Sequence, residues 1–159
     1  MKKRVLVLGL GNDILSDDGV GIIVLRKVRE RFESEKVPVE FIETNEMGLS
    51  LLDFLEGHEH AIIIDSIITG KREPGTIQVY NKDNFDNPAV CNPHHMGLDE
   101  ILELAEKVKI KVPKTFDVVA IEVKDPFSFG ERLSPEVEKA LPEIVTRVVK
   151  LINRTLKEI

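Results

Sequence analysis

Gly9-Leu10-Gly11-Asn12-Asp13-Ile14-Leu15-Ser16-Asp17-Asp18-Gly19-Val20-Gly21 is the stretch whose reading decides the fold. The apolar run Val5 to Leu8 ahead of it reads as a buried strand. Behind it, Val20, Val24, Leu25, Val28 and Phe32 fall on one face of a helix. Glycines on both sides let the backbone bend sharply where strand becomes helix. In an open α/β sheet, ligands bind beyond the carboxyl ends of the strands. The turn should therefore line a site, and Asp17 and Asp18 make that site acidic. It is not a dinucleotide fingerprint, because Ile14 stands where the third glycine of G-x-G-x-x-G belongs. It is not a phosphate loop either, since no Gly-Lys-Ser/Thr follows and two aspartates would repel a pyrophosphate. Asp17 reads as a cap that complements the helix dipole, and Asp18 as a site residue.

Strand and helix alternate outward from this turn. Val39–Thr44 reads as a second strand, and Leu49, Leu52, Phe54 and Leu55 as a short helix ended by Gly57. Ala61–Ile64 is a buried strand closing on Asp65. Glu73-Pro74-Gly75-Thr76 is a turn leading into a strand through Ile77, Val79 and Tyr80. The gap between Ile64 and Ile77 is too short for a parallel crossover helix, so this fourth strand is expected to run antiparallel. Asn81–His95 reads as a long loop, and Leu98, Ile101, Leu102, Ala105 and Val108 as a third helix. Val118–Val123 is a fifth strand. Ser134-Pro135-Glu136 then opens an amphipathic last helix, with Ser134 expected as its cap. The expectation is one α/β domain over residues 1–159, a three-layer αβα sandwich around a five-stranded mixed sheet.

The composition narrows the class. Of 159 residues, 22 are Lys or Arg and 28 Asp or Glu, a net charge of −6 that disfavours nucleic acid and offers no basic stripe to a membrane. One cysteine excludes an internal disulfide framework. Lys2, Lys3 and Arg4 before an apolar run imitate a signal peptide, but Gly9 to Asp13 end the run too early, so the cytoplasm is expected.

Three groups lie past strand ends or in the long loop: Asp17/Asp18, Asp65 in Ile64-Asp65-Ser66, and the pair in Pro93-His94-His95-Met96-Gly97. First and third strands of such sheets are commonly adjacent, which would make Asp18 and Asp65 neighbours. Two carboxylates at one edge repel unless a proton or cation lies between them. An imidazole added to them makes a mixed N/O site suited to Zn, Ni, Co or Fe rather than Ca or Mg. Cys91 reads as a small buried apolar residue, His58 and His60 as surface residues, and Phe127 and Phe129 as loop anchors or a rim beside the site.

Gly9-Leu10-Gly11-Asn12 with Ser16-Asp17-Asp18-Gly19-Val20-Gly21, then Ile64-Asp65-Ser66, then Pro93-His94-His95-Met96-Gly97-Leu98, resembles the hydrogenase maturation endopeptidases. The resemblance implies a five-stranded mixed sheet between helices with one antiparallel strand. It implies removal of a C-terminal extension from the large-subunit precursor of a [NiFe]-hydrogenase after nickel insertion, with Asp18, Asp65 and His94 as the metal-contacting set. Nickel is then carried by the substrate, Zn or Cd could occupy the same site, and a monomer is expected. Two positions depart from the pattern: Glu43 to Gly48 lacks the expected Gly-Gly or Gly-Thr pair, and His95 stands where Gln or Asn is usual. Two other readings are carried forward. One is a phosphoacceptor, receiver-like signalling domain with Asp65 as acceptor and Lys124 as its lysine. The other is a non-catalytic metal-binding maturation chaperone.

Overall fold

The computed structural model describes residues 2–46, 48–81 and 98–159. Five strands, β1 (Val5–Leu10), β2 (Val39–Thr44), β3 (His60–Ile67), β4 (Ile77–Asn81) and β5 (Thr115–Glu122), form one sheet in the order β2-β1-β3-β5-β4. All neighbours are parallel except β4, which runs antiparallel to β5 with Val79 opposite Val119. The short connection after β3 therefore does what its length dictates: it returns along the edge instead of crossing over.

The pleat sorts side chains between two cores. Val5, Val7, Ile62, Ile64, Val119 and Ile121 pack on one face against α1 (Val20–Phe32) and α4 (Pro135–Glu158). Leu6, Leu8, Leu10, Ala61, Ile63 and Val118 pack on the other against α2 (Leu51–Leu55) and α3 (Leu98–Lys107). Both faces of β1 and β3 are covered, which is why those strands read as unbroken apolar runs. The result is the expected three-layer sandwich. Among the described residues no helix is long and apolar enough to cross a membrane.

Two helix starts differ from expectation. A 3-10 turn, Ser16–Gly19, intervenes between β1 and α1, and no side chain caps either element. Ser134 precedes α4 with extended backbone, but its hydroxyl makes no cap; the Glu138 N–H bonds the Ser134 carbonyl instead. Asp17 and Asp18 of the turn, and Ser134, are used elsewhere.

Candidate active site

The strand order fixes where a ligand can enter. From β1 the chain crosses through α1 to β2 on one side, while β3 pairs with β1 on the other. The crevice of such a sheet opens at this reversal, beyond the carboxyl ends of the strands. Pairing between β1 and β3 ends at Gly9 opposite Ile64, so the two strands part at Asp65. Asp65 was expected just past its strand; it lies inside β3, which continues to Ile67.

The glycines of the first turn close the other wall. A side chain at Gly21 would collide with the carbonyl oxygens of Leu10 and Ile64, so only glycine lets the start of α1 sit on both strand ends. Gly11, at φ +143°, passes directly under the Asp18 carbonyl and has no room for a Cβ. These close approaches hold the 3-10 turn at the mouth of the crevice.

Asp18 is 8% exposed. Its Oδ2 accepts the Asn12 N–H at 2.9 Å and its Oδ1 accepts the Ser66 hydroxyl at 3.4 Å. Asp65 is fully buried, and its Oδ1 accepts the Ser66 N–H at 2.7 Å. Ser66 thus touches both carboxylates, one through its backbone and one through its side chain. By the pleat, Ser66 shares the face of Ile64 and α1, while Asp65 shares that of Ile63 and α3. The two acids reach the edge from opposite faces of β3. Gathering carboxylates away from water costs free energy unless hydrogen bonds, a proton or a cation offset it. His94, Cys91 and His95 lie outside the described residues. Among the described residues, no three His, Cys, Asp or Glu side chains form a metal-binding group.

Asp17 is corrected from cap to structural tie. It is fully buried and accepts the N–H groups of Lys124 (3.0 Å), Asp125 (2.9 Å) and Ser134 (2.6 Å). The Ser134 hydroxyl donates to it as well. One carboxylate therefore fastens the turn after β1 to the segment after β5 and to the start of α4. Ser16, held at φ +47°, adds to the seam: its N–H bonds Gly130 O and its hydroxyl bonds Arg132 O, both at 2.8 Å. The same geometry counts against the signalling reading. The Lys124 ammonium lies 3.0 Å from Glu136, and Asp17 is saturated by loop donors rather than open to a cation beside Asp65.

Other sequence readings also shift. His60 is buried, not on the surface: Nε2 meets Asp117 Oδ2 at 2.9 Å and Nδ1 meets Thr115 Oγ1 at 2.6 Å. The His58 ring is buried too, with Nε2 2.8 Å from Glu40. Both belong to the opposite, amino-terminal edge of the sheet. Phe127 and Phe129 do not anchor their loop, being 74% and 87% exposed. Ser66 and Asn12 were missed as site residues. A polar residue beside Asp65 on the alternate pleat face was the available signal for Ser66; the contribution of Asn12 is a backbone N–H, which carries no signal.

Comparison with known proteins shows the family and the fold. The family model for hydrogenase maturation protease (HycI) matches residues 22–151. The chain is 26% identical over 156 residues to the hydrogenase 2 maturation protease of Escherichia coli K12, covering 96% of this chain and 92% of that protein. In fold it resembles the hydrogenase maturating endopeptidase HybD from E. coli, with TM-score 0.78 at 24% identity over 96% of this chain and 93% of that one. It also resembles the [NiFe] hydrogenase maturation protease HybD from Thermococcus kodakarensis, with TM-score 0.69 at 27% identity over 93% and 98% of the two chains.

Proposed function

The chain belongs to the hydrogenase maturation protease family and is a peptidase, and from that premise we propose that it removes the C-terminal extension of a [NiFe]-hydrogenase large-subunit precursor once nickel has been inserted. The observation that carries this reading is the pair Asp18 and Asp65, held by Ser66 at the point where β1 and β3 part. Asp18 and Asp65 supply anionic oxygen ligands, and His94, four residues ahead of α3, supplies the imidazole. Nickel is cargo of the substrate. Zn or Cd would take the same N/O set when no substrate is present.

The chain's own contribution is fixed geometry. The Asn12 N–H and the Ser66 hydroxyl hold Asp18 before any ligand arrives, so little reorganisation accompanies binding. Gripping a metal already seated in the precursor orients the tail that leaves from it, and converts an encounter into a positioned hydrolysis. Cleavage then breaks one peptide bond and consumes one water. A metal-loaded precursor binds; an empty one offers the two acids no cation to grip. The single cysteine fits a reducing compartment such as the cytoplasm.

The test is tail removal, read by mass spectrometry, on nickel-loaded and nickel-free precursor. Cleavage of the loaded form only is expected. Equal cleavage of both would overturn the role of nickel, and binding without cleavage would favour a maturation chaperone.

A further inference from the structure

Beside the acidic crevice lies an apolar rim with a rigid frame. Phe127 and Phe129 are 74% and 87% exposed, and Ile14 is 49% exposed. A slack loop would fold such rings back onto the protein, because burying one is worth about 1.5–3 kcal/mol. This loop is pinned. The Gly130 N–H bonds Ile14 O and the Ser16 N–H bonds Gly130 O, both at 2.8 Å. This places Phe129 next to the backbone of Ile14. Asp125 Oδ1 accepts the N–H groups of Phe127 and Ser128, each at 3.0 Å. Asp17 fastens the Lys124 and Asp125 backbone to the same turn.

Resting on the proposed reaction, we propose that Ile14, Phe127 and Phe129 form the docking surface for the precursor's C-terminal extension, taking large apolar side chains on the tail side of the scissile bond. The occupant follows from continuity. Asp18 begins the grip on the substrate's cation, and its N–H bonds Leu15 O at 3.0 Å, so the rim starts within one helical turn of the grip. A tail emerging from the metal at the carboxyl edge of the sheet meets this surface next. Ile14 and Asp18 share one turn, and hydrogen bonds tie the segment of residues 127–130 to it, so the two contacts hold the scissile bond at a fixed span.

The test is steady-state cleavage of nickel-loaded precursor by the Phe127→Ser/Phe129→Ser double variant. Both rings are exposed, so thermal unfolding should match the parent. KM is expected to rise about tenfold or more with kcat within about threefold, a loss of about 1.4 kcal/mol per tenfold in affinity. A precursor whose apolar tail residues are replaced by serine should show the same KM with parent and variant. Unchanged KM in the double variant, or a fall confined to kcat, would overturn the docking role. The parent reading fails separately: the unmutated chain would then leave the loaded precursor whole. In that event binding decides, since weaker capture of intact precursor by the double variant supports the rim and equal capture sinks it.

Discussion

The two edges of the sheet carry similar residue types arranged to opposite ends. At the amino-terminal edge, charged and polar groups pair with one another. His60 bonds Asp117 and Thr115, His58 bonds Glu40, and the Arg4 guanidinium grips Glu59 with bonds of 2.8 and 2.6 Å. At the carboxyl-terminal edge, Asp17, Asp18 and Asp65 gather three buried carboxyl groups. There Asp17 closes its account with four donors of the chain, while Asp18 and Asp65 meet across Ser66 at the parting of two strands. On the function proposed above, the acids gathered at the crevice would receive a cation from outside, whereas the pairs at the far edge serve the fold alone. Titratable side chains in a fold are therefore informative by the sign of their neighbours more than by their number.

The largest effect should come from breaking the crevice side. Asp18→Asn keeps shape, and the Asn carbonyl can still accept from Asn12, so thermal unfolding should stay within a few degrees of the parent. Tail removal should fall about 100-fold or more, the scale of losing one preorganised electrostatic group. Parental activity in this variant would remove Asp18 from the site. Asp17→Asn tests the neighbouring residue for the opposite behaviour. In either orientation the NH2 of an amide there faces a buried N–H that Asp17 now accepts, that of Ser134 or those of Lys124 and Asp125, and each buried donor left unmet costs about 1–3 kcal/mol. A total of about 2–3 kcal/mol corresponds to a Tm lower by about 4–12 °C for a chain of this size. Calorimetry showing no change would make Asp17 a bystander. Asp117→Asn, at the far edge, should lower Tm by a few degrees through its bond to His60 and leave the cleavage rate of the folded protein unaltered. A specific loss of cleavage there would show that the two edges are coupled.

The sequence made much of this legible, and the reasons are local. Continuous apolar runs announced β1 and β3, and the short gap after β3 fixed β4 as antiparallel. The glycines around residues 9–21 announced a tight turn, though not that Gly21 is needed for α1 to reach the ends of two strands at once. Asp17 and Asp18 are adjacent and chemically identical, and only the third dimension separates them. The donors of Asp17 come from residues 124–134, far along the chain. His60 misled for the same reason: a histidine among Glu56, His58 and Glu59 reads as solvated until Asp117, two strands of sequence later, is brought beside it. Ser134 had every local mark of a cap and was drawn away by a stronger acceptor.

The smallest effect separates the two edges by the origin of their carboxylate shifts. Asp125, under the rim loop, is held below the ordinary aspartate range by the hydrogen bond from the Ser128 side chain, then by the N–H groups of Phe127 and Ser128. Glu59, at the far edge, is held below the ordinary glutamate range by its hydrogen bond to Arg4, with the guanidinium charge adding to it. Both folded values are depressed, so both groups contribute stability that is fully present above their unfolded values and is lost as pH falls through the folded ones. Their response to salt should differ. The Arg4–Glu59 pair is exposed, and raising ionic strength toward 1 M shortens the screening length to about 3 Å, so its attraction weakens. The donors on Asp125 are dipoles in contact with it, and screening has little to act on. Carboxyl titration by NMR at low and high salt should therefore move the Glu59 midpoint toward its ordinary value and leave that of Asp125 nearly fixed. Amide exchange at Phe127 and Ser128 should lose protection only as Asp125 takes its proton. An Asp125 midpoint that moves with salt as far as Glu59 would mean the rim is set by distant charge rather than by its own loop, and the rigid frame under the two phenylalanines would lose its support.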